Sequence, residues 1–307
     1  MSQWHVTNGI YAPVVTPFDV RLQPDLARYV RHCKWLVAQG VGLAIFGTNS
    51  EANSLSTGEK KALLDTILAE GLPANRLMPG TGCCAFPDTV ELTRYALARG
   101  VTDVLMLPPF YYKNVSDDGL FRSYAEIIER VADERLRIYL YHIPAVSQVP
   151  ITLPLIERLM RAYPGTVAGV KDSSGDMSNT QAILDRFAPA GFNVFAGSES
   201  FLLATMRGGG AGCITATGNV NPAAIVRLFK SWQGADADQQ QKRLDGVRSV
   251  FGKYPMIAAL KASIAMFGND SDWEIVRPPL TSLSDIQKGT FEGELSAIDF
   301  RMPALMS

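Results

Sequence analysis

Short apolar runs alternate along this chain with longer segments whose apolar residues recur at helical spacing. The runs fall at 10–15, 41–46, 77–79, 101–107, 137–141, 167–170, 194–196 and 212–216, and each reads as a strand buried on both faces. Between them, Leu26, Tyr29, Val30, Cys33 and Val37 share one helical face, as do Leu153, Ile156, Leu159 and Met160 further on. Ser56-Thr57-Gly58-Glu59 has capping-box spacing and predicts a helix start at Ser56. Gly40, Gly71 and Gly100 stand where helices should end and the chain must turn into the next strand.

About eight strand–helix units, with strand starts roughly 20 to 35 residues apart, predict an α/β protein with a parallel sheet. Closure removes the edge strands, so the count favours a (β/α)8 TIM barrel over an open doubly wound sheet, which stands as the alternative. After about residue 235 the strand pattern stops, and segments 236–250, 255–267 and 281–294 read as helices. The expected organisation is a barrel catalytic domain over 1–234 and a C-terminal helical domain over 235–307.

Composition narrows the function. The chain has 307 residues, enough for one such barrel and an appendage. Lys+Arg 29 against Asp+Glu 30 leaves no basic excess for a phosphate backbone, so nucleic acid is not an expected partner. Cys33, Cys83, Cys84 and Cys213 lack disulfide or zinc spacing and read as reduced thiols. Residues 1–5 do not resemble a leader, and no apolar run reaches the roughly 18 residues of a membrane span. A soluble cytoplasmic protein with no membrane partner is expected.

In such a barrel the chemistry sits on the loops after the strands. Lys171 follows the apolar run 167–170 and precedes a turn-forming Asp-Ser-Ser-Gly. Desolvation at a buried strand end favours the neutral amine, the nucleophile that forms a Schiff base with a carbonyl. Position alone leaves a second reading, a lysine that snorkels to solvent or pairs with Asp172. Tyr141 ends the preceding strand, and neighbouring strands lie about 4.8 Å apart, so its phenol is placed to shuttle protons beside the amine. A core tyrosine is the plainer alternative. The loop Gly47-Thr48-Asn49-Ser50-Glu51 offers backbone N–H groups to an anion such as the carboxylate of a 2-oxo acid, and Thr48 adds a hydroxyl. Turn formation alone also explains that composition.

Other patterns carry less. Gly208-Gly209-Gly210-Ala211-Gly212 and Gly80-Thr81-Gly82 lack the strand-before, helix-after setting of a dinucleotide loop. His5, His32 and His142 are scattered, which disfavours a metal-dependent aldolase, and His142 reads as a hydrogen-bonded loop residue. No metal or cofactor is expected.

At these residues the chain resembles the dihydrodipicolinate synthase / N-acetylneuraminate lyase superfamily of class I aldolases. The matching motifs are residues 9–18, Gly47–Glu51, Pro79-Gly80-Thr81-Gly82, Pro109-Phe110-Tyr111-Tyr112, Tyr141–Pro144, Gly169-Val170-Lys171 and Gly197-Ser198-Glu199, in that order across almost the whole chain. The resemblance implies a (β/α)8 barrel with a C-terminal helical domain, assembled as a homotetramer (a dimer of dimers). It implies Lys171 as the Schiff-base lysine for pyruvate or a pyruvyl substrate and Tyr141 as the proton-transfer phenol. Thr48 would link Tyr141 to Tyr111, the latter reaching in from a neighbouring subunit. Thr48 and Asn49 would bind the 2-oxo acid carboxylate, Ile214 would line the pocket, and Ser198 and Glu199 join the substrate-binding candidates.

Departures narrow this further. The synthases carry a second loop threonine followed by glycine; here Asn49 and Ser50 stand there, so either Ser50 takes any positive φ that the glycine needs, at a cost, or the loop differs. Where the synthases place an arginine for the aldehyde's carboxylate, this chain has Val146, which offers no bidentate clamp. Most positions that bind feedback lysine in some synthases differ as well (Thr57, Lys60, Cys84). The stretch 141–147 looks closer to the sialic-acid lyase and keto-deoxy-sugar-acid aldolase branches. The expected function is thus a cofactor-free class I aldolase that makes or breaks a C–C bond between pyruvate and an aldehyde. The alternatives are 4-hydroxy-tetrahydrodipicolinate synthesis, keto-deoxy sugar acid dehydration, and a non-catalytic 2-oxo-acid-binding barrel.

Overall fold

The computed structural model describes residues 7–302; the opening residues 1–5, read above for a leader, lie outside them. Seven strands, β1 (Gly9–Ala12), β2 (Gly42–Leu43), β3 (Asp103–Met106), β4 (Arg137–His142), β5 (Val167–Asp172), β6 (Asn193–Ala196) and β7 (Gly212–Ile214), form one parallel sheet in the order β2-β1-β7-β6-β5-β4-β3. Segment 77–80 joins the two outer strands. Leu77 bridges to Leu43 and Gly80 to Leu105, while the Met78 N–H donates to the Leu43 carbonyl at 2.9 Å and the Gly80 N–H to the Ile45 carbonyl at 2.7 Å. The ring therefore closes as a (β/α)8 barrel.

The eighth position is a bridging segment rather than the regular strand expected over 77–79. Pro79 has no N–H and contributes only its carbonyl, which accepts from Leu105 at 2.9 Å. Glycine is required next to it, because a Cβ on Gly80 would stand 2.2 Å from the Phe46 carbonyl oxygen. β2 is shorter than the run 41–46 because Phe46 adopts φ 61° and turns the chain into the following loop.

The local signals act as their chemistry dictates. Ser56 caps helix Thr57–Ala69: its Oγ accepts the Glu59 N–H at 3.2 Å and Glu59 Oε2 accepts the Ser56 N–H at 2.8 Å. Gly40, Gly71 and Gly100 end their helices with φ of 87°, 83° and 79°.

Two apolar layers hold the barrel. The inner one includes Met78, Leu105 and Ile214 and the rings of Tyr11 and Tyr139, which meet Phe195 edge-on at centroid distances of 5.9 and 5.8 Å. The outer one packs helix faces such as Leu36, Ile67, Ile128 and Leu159 onto the strands. Burying each such side chain stabilises the fold by roughly 1.5–3 kcal/mol. Helices Ala237–Phe251, Met256–Gly268 and Asp285–Ala297 follow the barrel. Gln241 ties the first of them to the loop after β6, donating to the Glu199 carbonyl at 2.9 Å and accepting the Leu203 N–H at 3.0 Å. No single described helix is long and apolar enough to cross a membrane.

Candidate active site

Lys171 is the penultimate residue of β5 rather than the residue after it, because the ladder to β6 continues through Lys171–Phe195 and Asp172–Ala196. It shares the inward face with Gly169, against which the Tyr139 ring packs. Tyr141 on β4 is its register partner, and both are buried, at 3% and 5% exposure. Lys171 Nζ stands 4.2 Å from the centroid of the Tyr141 ring. The snorkelling alternative for Lys171 is thereby removed, since the side chain does not reach bulk water.

The loop after β2 comes in from the opposite side. Thr48 opens a one-turn helix, Thr48–Ser50, and its Oγ1 lies 3.2 Å from Tyr141 Oη. Ser50 keeps out of the left-handed region; Phe46 and Glu51, on either side of the loop, adopt it instead. The substitution of serine for glycine thus creates no backbone strain at position 50. Ser50 Oγ accepts the Gly47 N–H at 3.2 Å, and its carbonyl accepts the Thr16 hydroxyl at 2.8 Å, so the loop is pinned from within.

Glu51 anchors the same loop from below. Its carboxylate pairs with Lys261 of helix Met256–Gly268, both side chains fully buried, and also accepts the Arg277 N–H at 2.9 Å. Lys261 donates as well to the Ile275 carbonyl at 2.7 Å, and burial lowers its pKa to about 8. The C-terminal helices therefore hold the loop that carries Thr48.

Asp172 is not available to pair with Lys171. Its carboxylate accepts the Ser174 N–H at 3.0 Å, the Ser174 hydroxyl at 3.1 Å, the Asn179 amide at 3.1 Å and the Thr180 hydroxyl at 2.6 Å. His142 is the last residue of β4; its Nδ1 accepts the Ile151 N–H at 2.9 Å, and burial lowers its pKa. Both residues build the strand ends around the lysine.

A cavity of about 340 Å³ opens at this mouth. Thr48, Asn49, Tyr141, Lys171 and Ser198 line it, and Val146 stands at its wall, 62% exposed. Three sequence candidates lie elsewhere. Ile214 packs in the inner apolar layer with Tyr141 rather than on the cavity wall. The Glu199 carboxylate is buried and accepts the Thr215 and Thr217 hydroxyls. Tyr111 is 74% exposed, its ring edge-on to Tyr112 at 5.3 Å, and does not line the cavity of its own chain.

Three lining residues escaped the sequence reading: Phe201, after β6, and Arg248 and Met256, from the helices after the barrel. A larger groove of about 560 Å³ lies between outer helices, but Lys61 and Arg99 on its wall already pair with Glu91 and Asp65. Among the described residues no group of three or more His, Cys, Asp or Glu side chains is arranged to hold a metal.

The fold is thus a closed parallel (β/α)8 barrel with a buried lysine beside a phenol at its C-terminal mouth. The profile of the dihydrodipicolinate synthetase family matches residues 6–298, and this chain belongs to that family. An uncharacterised DapA-like lyase of Chloroflexus aurantiacus is 32% identical over 280 residues, covering 90% of this chain and 92% of that protein. The crystal structure of dihydrodipicolinate synthase from Agrobacterium tumefaciens superposes with a TM-score of 0.88 at 29% identity, covering 95% of this chain and 99% of that one. YagE, a prophage protein of this family from E. coli K12 crystallised with pyruvate, superposes at 0.86 with 26% identity and covers 96% and 99% of the two chains.

Proposed function

We propose that this lyase cleaves or forms a C–C bond between pyruvate and an aldehyde through a Schiff base on Lys171. The observation that carries the assignment is a buried amine with no carboxylate partner, 4.2 Å from the centroid of a phenol ring that is itself 3.2 Å, at Oη, from a threonine hydroxyl. In the cleavage direction, neutral Nζ adds to C2 of the 2-oxo acid to give a carbinolamine, and loss of water leaves the iminium. The phenol of Tyr141 gives its proton to the departing carbinolamine hydroxyl, and the resulting phenolate takes the proton of the C4 hydroxyl as the C3–C4 bond breaks, whose electron pair enters the iminium to form an enamine. The aldehyde leaves, C3 is protonated, and water releases pyruvate and the free amine. The iminium is the electron sink, so the chemistry asks for no cofactor.

Thr48 orients and relays the phenolic proton, and the Thr48–Asn49 segment holds the 2-oxo acid carboxylate. Ser198 lies on the same wall and is assigned to substrate binding. Ile214 and Glu199 would act from behind it, Ile214 by packing under Tyr141. Val146 at the wall speaks against condensation with a carboxylate-bearing semialdehyde in the synthase manner. The exposed Tyr111 fits a homotetramer in which it serves a neighbouring mouth, in a cytoplasmic enzyme whose residues 235–307 form a helical domain completing the barrel domain of 1–234.

A pyruvate-release screen over sialic acid, keto-deoxy sugar acids and 4-hydroxy-2-oxoglutarate tests the assignment. Release from at least one of them by the wild type and from none by Lys171→Ala is expected. Undiminished release by Lys171→Ala contradicts it.

A further inference from the structure

Arg248 lies in the last turn of helix Ala237–Phe251 and enters the cavity from the side of the C-terminal helices. Its Nη1 is buried and has no hydrogen-bond partner. Nη1 forms an ion pair with Glu199, whose Oε2 stands 3.6 Å away without a hydrogen bond, and the two oxygens of Glu199 already accept the Thr215 and Thr217 hydroxyls. A buried N–H left without an acceptor is costly, and the rest of the side chain, 28% exposed, reaches the cavity where an acceptor can arrive. Lys171 and Arg248 are the two cations among the described residues on this wall, and Val146 supplies none. The amine and the Thr48–Asn49 loop serve the 2-oxo acid end, which leaves Arg248 for the other end of the substrate.

We infer that Arg248 binds a terminal carboxylate on the aldehyde half, so that the substrate is a 2-oxo acid carrying a second carboxylate. This rests on the Schiff-base reading above and adds the substrate class to it. A carboxylate fits better than a phosphate because Glu199 already places one negative charge beside the guanidinium, and a dianion would meet it at close range. The inference moves the recognition of a distal carboxylate from position 146 to a helix that follows the barrel.

The test reads borohydride trapping on the intact protein with four probes: pyruvate, 2-oxoglutarate, 2-oxopentanoate, which lacks the distal carboxylate, and 2-oxo-4-phosphonobutanoate. In the wild type, half-saturation by 2-oxoglutarate should come at a concentration at least about tenfold lower than for 2-oxopentanoate, the factor a charge-assisted hydrogen bond supplies. Arg248→Met should bring that ratio close to one, and Arg248→Lys, which keeps the charge and loses the fork, should fall between. The ratio is internal to each protein, so a general loss of competence does not imitate the effect. A wild type with no preference, an Arg248→Met variant that keeps it, or stronger binding of the phosphonate than of the carboxylate overturns the inference while leaving the Schiff base standing. A wild type that traps none of the four, pyruvate included, removes the Schiff-base reading and this inference with it.

Discussion

Tyr141 and Lys171 occupy one rung of the barrel: their Cα atoms are register partners between β4 and β5, and the amine lies 4.2 Å from the centroid of the ring. Parallel pairing sets that height without help from any loop. Thr48 then approaches the phenol from across the mouth at 3.2 Å. Rigid strands therefore position the proposed nucleophile and its proposed proton carrier, and a pinned loop supplies the third group.

Proton transfer through the phenol predicts a loss in turnover rather than in binding. Tyr141→Phe should lower kcat for pyruvate formation by about 10²–10⁴-fold with a much smaller change in KM. Thr48→Val, which keeps the phenol and removes its orienting partner, should cost about tenfold. Steady-state kinetics on a cleaved substrate decide this, and wild-type kcat in Tyr141→Phe would remove the phenol from the mechanism.

The Glu51–Lys261 pair predicts strong coupling between the loop and the C-terminal helices. Lys261→Met leaves the buried Glu51 carboxylate without its cation, with only the Arg277 N–H as partner, and should destabilise the protein by about 3–5 kcal/mol; Glu51→Leu should do the same from the other side. The double variant should recover much of that loss, because neither charge is then left alone. Urea unfolding of the two single variants and the double variant measures the coupling, and simple additivity would mean the pair does not hold the loop.

His32 predicts a pH dependence of stability. Its ring is fully buried between Trp35 and Trp273, with centroid distances of 5.7 and 5.2 Å, and burial lowers its pKa to about 4. The unfolded chain takes up a proton near the ordinary histidine value of about 6.5, while the folded one waits until about 4. This contribution is therefore present above pH 6.5 and is lost as the pH falls through that window, by about 3 kcal/mol at pH 4. Unfolding free energies at pH 7 and pH 4 should differ by that much more in the wild type than in His32→Gln; equal differences would contradict the assignment.

Much of the barrel was legible in the sequence because each strand–helix unit carries its own periodicity and its own stop signal. The helix caps at Ser56 and Gly40 are local chemistry and needed no tertiary information. Segment 77–80 was legible as apolar but not as a bridge, since the geometry of Pro79 and Gly80 depends on two strands distant in sequence. Lys171 and Tyr141 could be placed by strand order, and Thr48 by its loop. Arg248 and Lys261 could not. Arg248 sits in a helix where Lys242 and Arg243 precede it, which reads as one more charged position on a solvated face, and Lys261 lies in an apolar helix whose barrel partner is 210 residues away. Only the folding of the C-terminal helices back toward the mouth gives either residue a role. Whether Ser50 would need a positive φ was likewise not legible; the structure has it at Phe46 and Glu51 instead.

The covalent bond itself is the most direct test. Incubation with pyruvate, reduction with borohydride and peptide mapping should place an irreversible pyruvyl mass on the peptide containing Lys171, and none on Lys171→Ala. An unmodified Lys171 peptide in the wild-type protein, or a mass carried by a different lysine, would contradict the assignment of the Schiff base to Lys171.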